Sequence, residues 1–478
     1  MPAPATSAHA ADPVGRALDE APSSMFHVKA AITSGMGFFT DAYDLNIIST
    51  ALLLLKPEFH LSADQVGLVG STSLIASFIG AIVFGRIADI VGRKRVYGIE
   101  ALIMAVGAIL TALAPDFTWL LVTRFILGIG IGGDYPISAT IMTEYANRRS
   151  RGRQVALMFS TYTAGQVVAF IVALTLLAAG VDHDLAWRLM LGLGALPALA
   201  VLYNRRRMPE SPRFTAAVVG DHERAASELN AFAAGAVRVT AAAPGQRQRL
   251  SLREILTNRR LVVTLLGTAG AWFAYDVAVY GNSISQPEIV KSIAPNATAS
   301  GVTAINLILA VLFSVTGVVC CVLLMDRVSR KGLQIAGFLV SGAALLAIGL
   351  VPGLTGSVLP FALVFGLASF GTTLGPNAGT MVLSAESFPV GMRTTGHGIS
   401  AGFGKLGAYI GALASPILLA GIGLRDTEII AAGFYLLGVL FTLLLAEPAR
   451  RSLEEIGSCT LPKQADKEVR AAPEMSRA

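Results

Sequence analysis

The residues in this chain best placed to do chemistry are acids set in otherwise apolar runs. Asp41-Ala-Tyr43-Asp44 lies in one such run. In another, Asp134 follows the small-residue string Gly128-Ile-Gly-Ile-Gly-Gly and precedes Tyr135-Pro136. An ionised side chain at the centre of a bilayer costs at least ~3 kcal/mol. Such an acid therefore faces a wet cavity, pairs with a cation or carries a proton. Positions three apart share a helix face, which directs Asp41 and Asp44 toward one cavity. Ionising both of two close carboxylates in a low dielectric is costly, so the pair can hold a proton and release it when water or a cation arrives. The plainer alternative is that either acid only accepts structural hydrogen bonds. Arg124, upstream of Asp134 on the same run, is either a counter-ion for Asp41 or a basic residue snorkelling toward a helix end. The glycines before Asp134 allow a neighbouring helix to approach closely.

A second constellation lies in the other half of the chain. Trp272, Asp276 and Tyr280 are each four apart, so on a helix they form one slightly drifting stripe. That stripe offers an indole N–H, a carboxylate and a phenol: two donors flanking an acceptor. Gly375-Pro376 disrupts helical hydrogen bonding beside Asn377, freeing polar backbone that survives only against protein or a lined cavity. Lys405, within Gly402-Phe-Gly-Lys-Leu-Gly407, needs a carboxylate or a bound anion as partner. Gln166 follows Gly165 in a further apolar run. It reads equally well as an amide ligand or as a helix-to-helix hydrogen bond.

The elements that carry these residues are membrane spans. Hydrophobic residues make up 54% and charged residues only 14%, against ~25% charged in a soluble domain. Twelve apolar runs approach the ~20 residues a spanning helix needs: 31–55, 66–88, 96–115, 117–144, 154–180, 186–204, 261–286, 303–325, 333–352, 357–385, 395–422 and 427–446. The expected fold is thus an all-α membrane protein. The organisation is an N-terminal tail over 1–24, expected to be disordered, and a six-helix bundle over 25–204. A polar connection with short surface helices follows over 205–260, then a second six-helix bundle over 261–450 and a tail over 451–478. Ser251-Leu-Arg-Glu254 fits a capping box opening one of those surface helices.

Of the 37 Lys and Arg residues, 31 fall in the tails and the even-numbered connections. Lys56, Arg188, Lys291 and Arg425 fall in the odd-numbered ones, and Arg124 and Lys405 lie deep within spans. Positive connections stay in the cytoplasm, so both termini are expected there, in a plasma membrane of bacterial inner-membrane type. The net charge of +6 therefore reports orientation in a lipid bilayer and gives no reason to expect nucleic acid as a partner. Three cysteines, two of them adjacent, indicate no disulfide framework. The six histidines form no metal-ligand pair, no nucleophile or phosphate-loop motif occurs, and no enzyme activity or cofactor is expected.

The two bundles echo each other. Gly85-x-x-x-Asp89-x-x-Gly92-Arg93-Lys94 after the second span matches Asp326-x-x-Ser329-Arg330-Lys331 after the eighth. Glu144 precedes Arg151 by seven, as Glu386 precedes Arg393. Pro209-Glu-Ser-Pro-Arg213 ends one half and Glu447-Pro-Ala-Arg-Arg451 the other. These matched acids and bases suggest charge links between the halves that favour an outward-open state, made by Asp89, Arg93, Lys94, Glu144, Arg151, Asp326, Arg330, Lys331, Glu386 and Arg393. Positive-inside loop charge explains the bases but not the matched acids.

From about Met25 to Ile456 the chain resembles the major facilitator superfamily, whose inter-half signature is the Gly85-to-Lys94 pattern. Within it, Gly132-Gly-Asp-Tyr-Pro-Ile-Ser-Ala-Thr-Ile-Met-Thr-Glu144 is similar to the signature of the phosphate:proton symporter family. Arg124 and Ser452-Leu-Glu-Glu-Ile456 are shared more widely with sugar porters. The resemblance implies two pseudo-symmetric six-helix bundles around a central phosphate site lined by Trp272, Asp276 and Tyr280, with Gln166, Asn377 and Lys405 also at substrate-site positions. A protonated phosphate can donate to Asp276 while its other oxygens accept from Tyr135, Gln166, Trp272, Tyr280 and Asn377. Lys405 would offset the charge and pair with Asp276 when the site is empty. Asp41, Asp44 and Asp134, with Arg124, would link occupancy to protons. Sulfate lacks a donor and should be rejected, whereas arsenate should compete. A proton-coupled organic-anion or aromatic-acid carrier, a sugar symporter and a non-transporting nutrient receptor remain as alternatives.

Overall fold

The computed structural model describes residues 13–22, 25–208, 210–232, 257–449, 451–453 and 455–456. Among these, twelve helices are long and apolar enough to cross a membrane, and none of the described residues forms a strand. The chain is an integral membrane protein. The spans of the first half are His27–Glu58, Asp64–Val91, Arg93–Ala112, Phe117–Tyr145, Arg151–Ala178 and His183–Arg206. Those of the second half are Arg259–Ile293, Ala299–Leu324, Arg330–Leu350, Val358–Glu386, Val390–Gly421 and Gly423–Leu443. Each expected apolar run coincides with one of them, overrunning it by at most three residues. Twelve crossings bring both ends of the chain to one face of the molecule, hereafter the termini face.

Local sequence explains where the spans start, turn and break. Ser62 opens the second span with a capping box: its Oγ accepts from Gln65 N, and Gln65 Oε1 accepts from Ser62 N. Gly92 and Gly98 adopt positive φ (101° and 109°), a conformation glycine takes without strain. The chain can therefore turn sharply between the second and third spans. Leu374 ends the first part of the tenth span and Pro376 begins the second, so the helix breaks beside Asn377 as the Gly-Pro pair predicts. Outward-facing apolar rows such as Leu102, Val106, Ile109 and Leu113 are exposed. In a membrane that row meets lipid.

Small residues bring the fourth span onto the second. A Cβ on Gly128 would lie 2.2 Å from the Ser73 carbonyl oxygen, and one on Gly132 would lie 2.0 Å from that of Ser77. The glycines are one turn apart, so their missing side chains form a continuous groove for the neighbouring backbone. This packing fixes the depth and rotation of Asp134 and Tyr135.

The structure departs from the expected disorder of the N-terminal tail at Pro13–Glu20, which is helical. Val14 and Leu18 are one turn apart and bury against Ala216, Ala225 and Leu229 of the central connection. Asp19 is tied to Arg213 at 2.6 Å. That connection contributes Pro212–Phe214, the π-helical turn Thr215–Val219 and His222–Phe232. The capping box expected at Ser251–Glu254 lies outside the described residues.

Candidate functional site

The first and seventh spans meet at the centre of the molecule, where the fourth and eleventh add one aromatic and one basic residue. Lys405 Nζ donates to Asp41 Oδ2 at 2.8 Å, to Tyr280 Oη at 2.6 Å and to Tyr135 Oη at 3.0 Å. Tyr135 Oη donates to Asp41 Oδ2 at 2.6 Å, and Tyr280 Oη reaches the same oxygen at 3.4 Å. The ammonium also lies 4.2 and 4.7 Å from the centroids of the two phenol rings, within cation–π range. All four side chains are almost fully buried. A buried charge this far from water persists when it is paired and hydrogen-bonded, and this lysine has both forms of compensation. Trp272 borders the cluster, 6.0 Å from the Tyr135 ring and 5.4 Å from the His397 ring. Asp276 is buried with its Oδ2 unbonded among the described residues.

Two expected pairings are corrected here. The counter-ion of Asp41 is Lys405, not Arg124. Arg124 grips Asp44 through two hydrogen bonds of 3.0 and 3.1 Å, and donates further to Ser73 Oγ and the Val69 carbonyl, each at 2.9 Å. Asp41 and Asp44 therefore serve different pairs. One links the two bundles, while the other is internal to the first, because a three-residue step turns the side chain part-way round the helix as well as raising it. Lys405, in turn, bonds Asp41 and not Asp276.

Beside this cluster lies a polar cavity. Of the expected binding residues, Gln166 and Asn377 line it; Tyr135, Trp272, Asp276, Tyr280 and Lys405 do not. Gln166 Nε2 donates to Asn46 Oδ1 at 3.4 Å, and Asn377 Oδ1 accepts from Tyr275 Oη at 2.8 Å. The wall carries hydroxyls and amides but no charged side chain. The tenth span supplies Ser369, Thr372 and Thr373, whose spacing of three and four was the available signal for a polar helix face. Asn46, Tyr162 and Tyr275 also contribute to the polar wall, and none of them announces itself in a sequence rich in apolar helices.

Asp134 is buried on the termini side of the central cluster. Arg205 Nη1 donates to it at 2.5 Å and to Glu100 at 3.0 Å, and Ser138 Oγ donates to it at 2.8 Å. Arg205 was expected to open the polar connection. Instead the sixth-span helix continues through Arg207, since these two acids and the Tyr97 ring, 4.7 Å away, compensate the guanidinium inside the bundle.

The termini face is closed by two matching charge links. Glu144 accepts from Arg93 of its own half at 3.2 Å and from Arg393 of the other half at 3.3 Å. Glu386 accepts from Arg330 of its own half and, at 3.0 Å, from Arg151 of the other. The arrangement is reciprocal, so the duplicated motif becomes a pair of cross-links. Asp89 joins Arg93 at 3.0 Å and accepts from Thr395 N and Oγ1 at 2.6 Å each. Asp326 joins Arg330 at 3.3 Å and accepts from Arg153 N at 2.8 Å. Lys94 and Lys331 do not take part across the halves. Lys94 is exposed and, among the described residues, bonds through its backbone N–H to Glu210, while Lys331 Nζ donates to the Leu443 and Leu445 carbonyls at the end of the twelfth span. Burial raises the Glu210 carboxyl above its ordinary value, and the nearby Arg93 guanidinium opposes that shift.

This architecture has known counterparts. Residues 29–459 match the family model of sugar (and other) transporters. The chain belongs to that family. Its relatives include a probable inorganic phosphate transporter 1-6 of Arabidopsis thaliana, 34% identical over 95% of this chain and 98% of that one. Inorganic phosphate transporter 1-11 of Oryza sativa subsp. japonica is also 34% identical, over 92% and 89%. A solved structure of the proton:xylose symporter XylE, of the major facilitator superfamily, aligns with a TM-score of 0.77 at 22% identity, covering 92% of this chain and all of that one. The fold is that of the major facilitator superfamily, and family membership makes the chain a membrane transporter, not an enzyme.

Proposed function

We propose that this transporter imports inorganic phosphate together with protons by alternating access, with both termini in the cytoplasm of a bacterial inner membrane. The observation that carries the reading is the closed Asp41–Lys405–Tyr135–Tyr280 cluster next to the Asp276 carboxylate, whose Oδ2 is unbonded among the described residues. Lys405 is neutralised by Asp41 here, so an anion gains it when Asp41 takes up a proton. Protonation and anion binding are then two sides of one exchange at Lys405. Asp276 supplies an acceptor for a phosphate O–H, while Tyr135, Tyr280, Trp272, Gln166 and Asn377 supply donors. The names of the phosphate-transporting relatives support the same substrate. Asp44 with Arg124 and Asp134 with Arg205 are further sites where a proton can be held and exchanged.

The links at Glu144 and Glu386 close the termini face, and releasing them is what inward opening requires. The test is flux of radiolabelled phosphate into liposomes holding the purified protein, with and without an imposed pH gradient. Gradient-dependent accumulation, inhibited by arsenate and not by sulfate, is the expected result. Accumulation indifferent to the gradient would reject proton coupling; uptake of xylose or an aromatic acid in place of phosphate would move the chain to another substrate class.

A further inference from the structure

Glu428, in the second turn of the twelfth span from the face opposite the termini, has no part in the exchange described above. Its side chain is fully buried. One oxygen, Oε2, accepts from Asn282 Nδ2 of the seventh span at 3.0 Å, while Oε1 is unbonded among the described residues. No described cation faces it. On its own helix Arg425 is turned to the Gly349 carbonyl at 2.9 Å and Asp426 is exposed, while Tyr435 lies two turns inward. The ninth span brings no titratable side chain over Leu333–Leu350, and the eleventh brings Tyr409 at this level. On the seventh span Tyr275, Asp276 and Tyr280 lie inward of Asn282, while Glu288 is held by Lys56 at 3.7 Å and Lys291 is exposed. An ionised carboxylate without a cation is costly in such surroundings, and the neutral, hydrogen-bonded acid far less so.

Asn282 also lines the central cavity. With one of its two Nδ2 hydrogens committed to Glu428, its carbonyl is the acceptor available to the cavity. We infer that Glu428 and Asn282 form a proton-dependent positioning switch in the outer wall of the anion pathway. Ionised Glu428 only accepts, so it holds the amide by its NH2 and turns the carbonyl toward the cavity. Neutral Glu428 carries an O–H whose natural mate is the amide carbonyl. The amide then reverses and presents its NH2 to the cavity, where it donates to an anion. Loading a proton at this face thus converts the wall from acceptor to donor. No covalent bond changes apart from the O–H that forms on Glu428. The inference deepens the proton-coupled anion reading and rests on it.

The experiment compares the purified full chain with Glu428→Gln, Asn282→Ala and the double variant. Radiolabelled phosphate binding is measured from about pH 8 to about pH 5, and the phosphate's own titration cancels in the ratio of variant to wild type. Glutamine imitates the neutral acid, so Glu428→Gln should bind roughly tenfold more tightly than wild type at high pH, the worth of one hydrogen bond to an anion, and equally at low pH. In the Asn282→Ala background the same change should have no effect. Superimposable pH profiles of wild type and Glu428→Gln would overturn the switch.

A second readout does not depend on the ligand. The infrared difference spectrum between low and high pH should contain a carboxylic-acid band, with an accompanying amide side-chain band. Glu428→Gln should remove both and Asn282→Ala only the amide band. An unchanged spectrum in Glu428→Gln would also overturn the inference, whether or not phosphate proves to be the substrate.

Discussion

Lys405 Nζ and Asp41 Oδ2 meet at 2.8 Å across the interface of the two bundles, 364 residues apart in sequence. The contact makes a single buried ion pair both a structural tie and the point where a proton and an anion compete. Removing one partner leaves a buried charge uncompensated, which costs about 3–5 kcal/mol. Lys405→Met should therefore lower the thermal midpoint strongly, and adding Asp41→Asn should recover much of the loss. Asp41→Asn alone should free Lys405, sparing phosphate counterflow while greatly reducing gradient-driven accumulation. Thermal unfolding of the purified variants and paired liposome assays check both halves of this prediction.

Asp276 makes a separate prediction about selectivity. Its buried Oδ2 lacks a partner among the described residues, and a phosphate O–H would provide one. Replacing it with asparagine removes the repulsion toward fully ionised anions and supplies an N–H donor. Asp276→Asn should weaken phosphate uptake by about tenfold or more, the scale of a hydrogen bond to a charged group, and should make sulfate a competitor. Competition by sulfate and by arsenate, measured side by side, checks the change; a variant that still ignores sulfate would count against this role.

Much of the fold was legible because periodicity and run length carry it: the twelve spans, the break at Gly375-Pro376 and the groove at Gly128 and Gly132 all follow from local residue types. The site was legible at the level of membership. Asp41, Tyr135, Tyr280 and Lys405 were each singled out in the sequence, the acid and the lysine as charges within spans and the tyrosines as donors, and their side chains converge in the structure. Partnership was not legible, since nothing local says whether Arg124 faces Asp41 or Asp44. That choice depends on how the second and fourth spans rotate against the first. For the same reason Arg205 read as part of a polar connection, although Asp134 and Glu100 draw it into the bundle.

The reciprocal links at the termini face predict symmetrical phenotypes. Glu144 holds Arg393, and Glu386 holds Arg151, so Glu144→Gln and Glu386→Gln each weaken one cross-link. Both should shift the population toward the inward-open state, by about tenfold if each link carries ~1.4 kcal/mol between states, without altering the intrinsic affinity of the central site. Labelling of a cysteine introduced on the inward path, applied from the termini side, should speed up in both. A change in only one would break the two-fold equivalence argued here.

Asp134 differs from the gate acids because its partner belongs to its own half. Arg205 has Glu100 as a second partner at 3.0 Å, so Asp134→Asn should fold. It should lose gradient-driven uptake more than counterflow exchange, since exchange needs no net proton movement. Equal loss of both would assign Asp134 to structure alone.

The groove between the second and fourth spans offers a test of packing that needs no substrate. A Cβ on Gly132 would stand 2.0 Å from the Ser77 carbonyl oxygen, and backbone atoms cannot swing aside as a flexible side chain can. Gly132→Ala must push the two helices apart, which costs about 1–3 kcal/mol in a well-packed interior and drags Asp134 and Tyr135 out of register with Arg205 and Lys405. Gly433 is the matched control: it is mid-helix in the twelfth span, with nothing within 4 Å of an added Cβ. Gly433→Ala should be neutral or raise stability slightly, by up to ~1 kcal/mol from helix propensity. Thermal midpoints in detergent separate the two substitutions. Equal behaviour would mean that the close approach does not hold the fourth span in place.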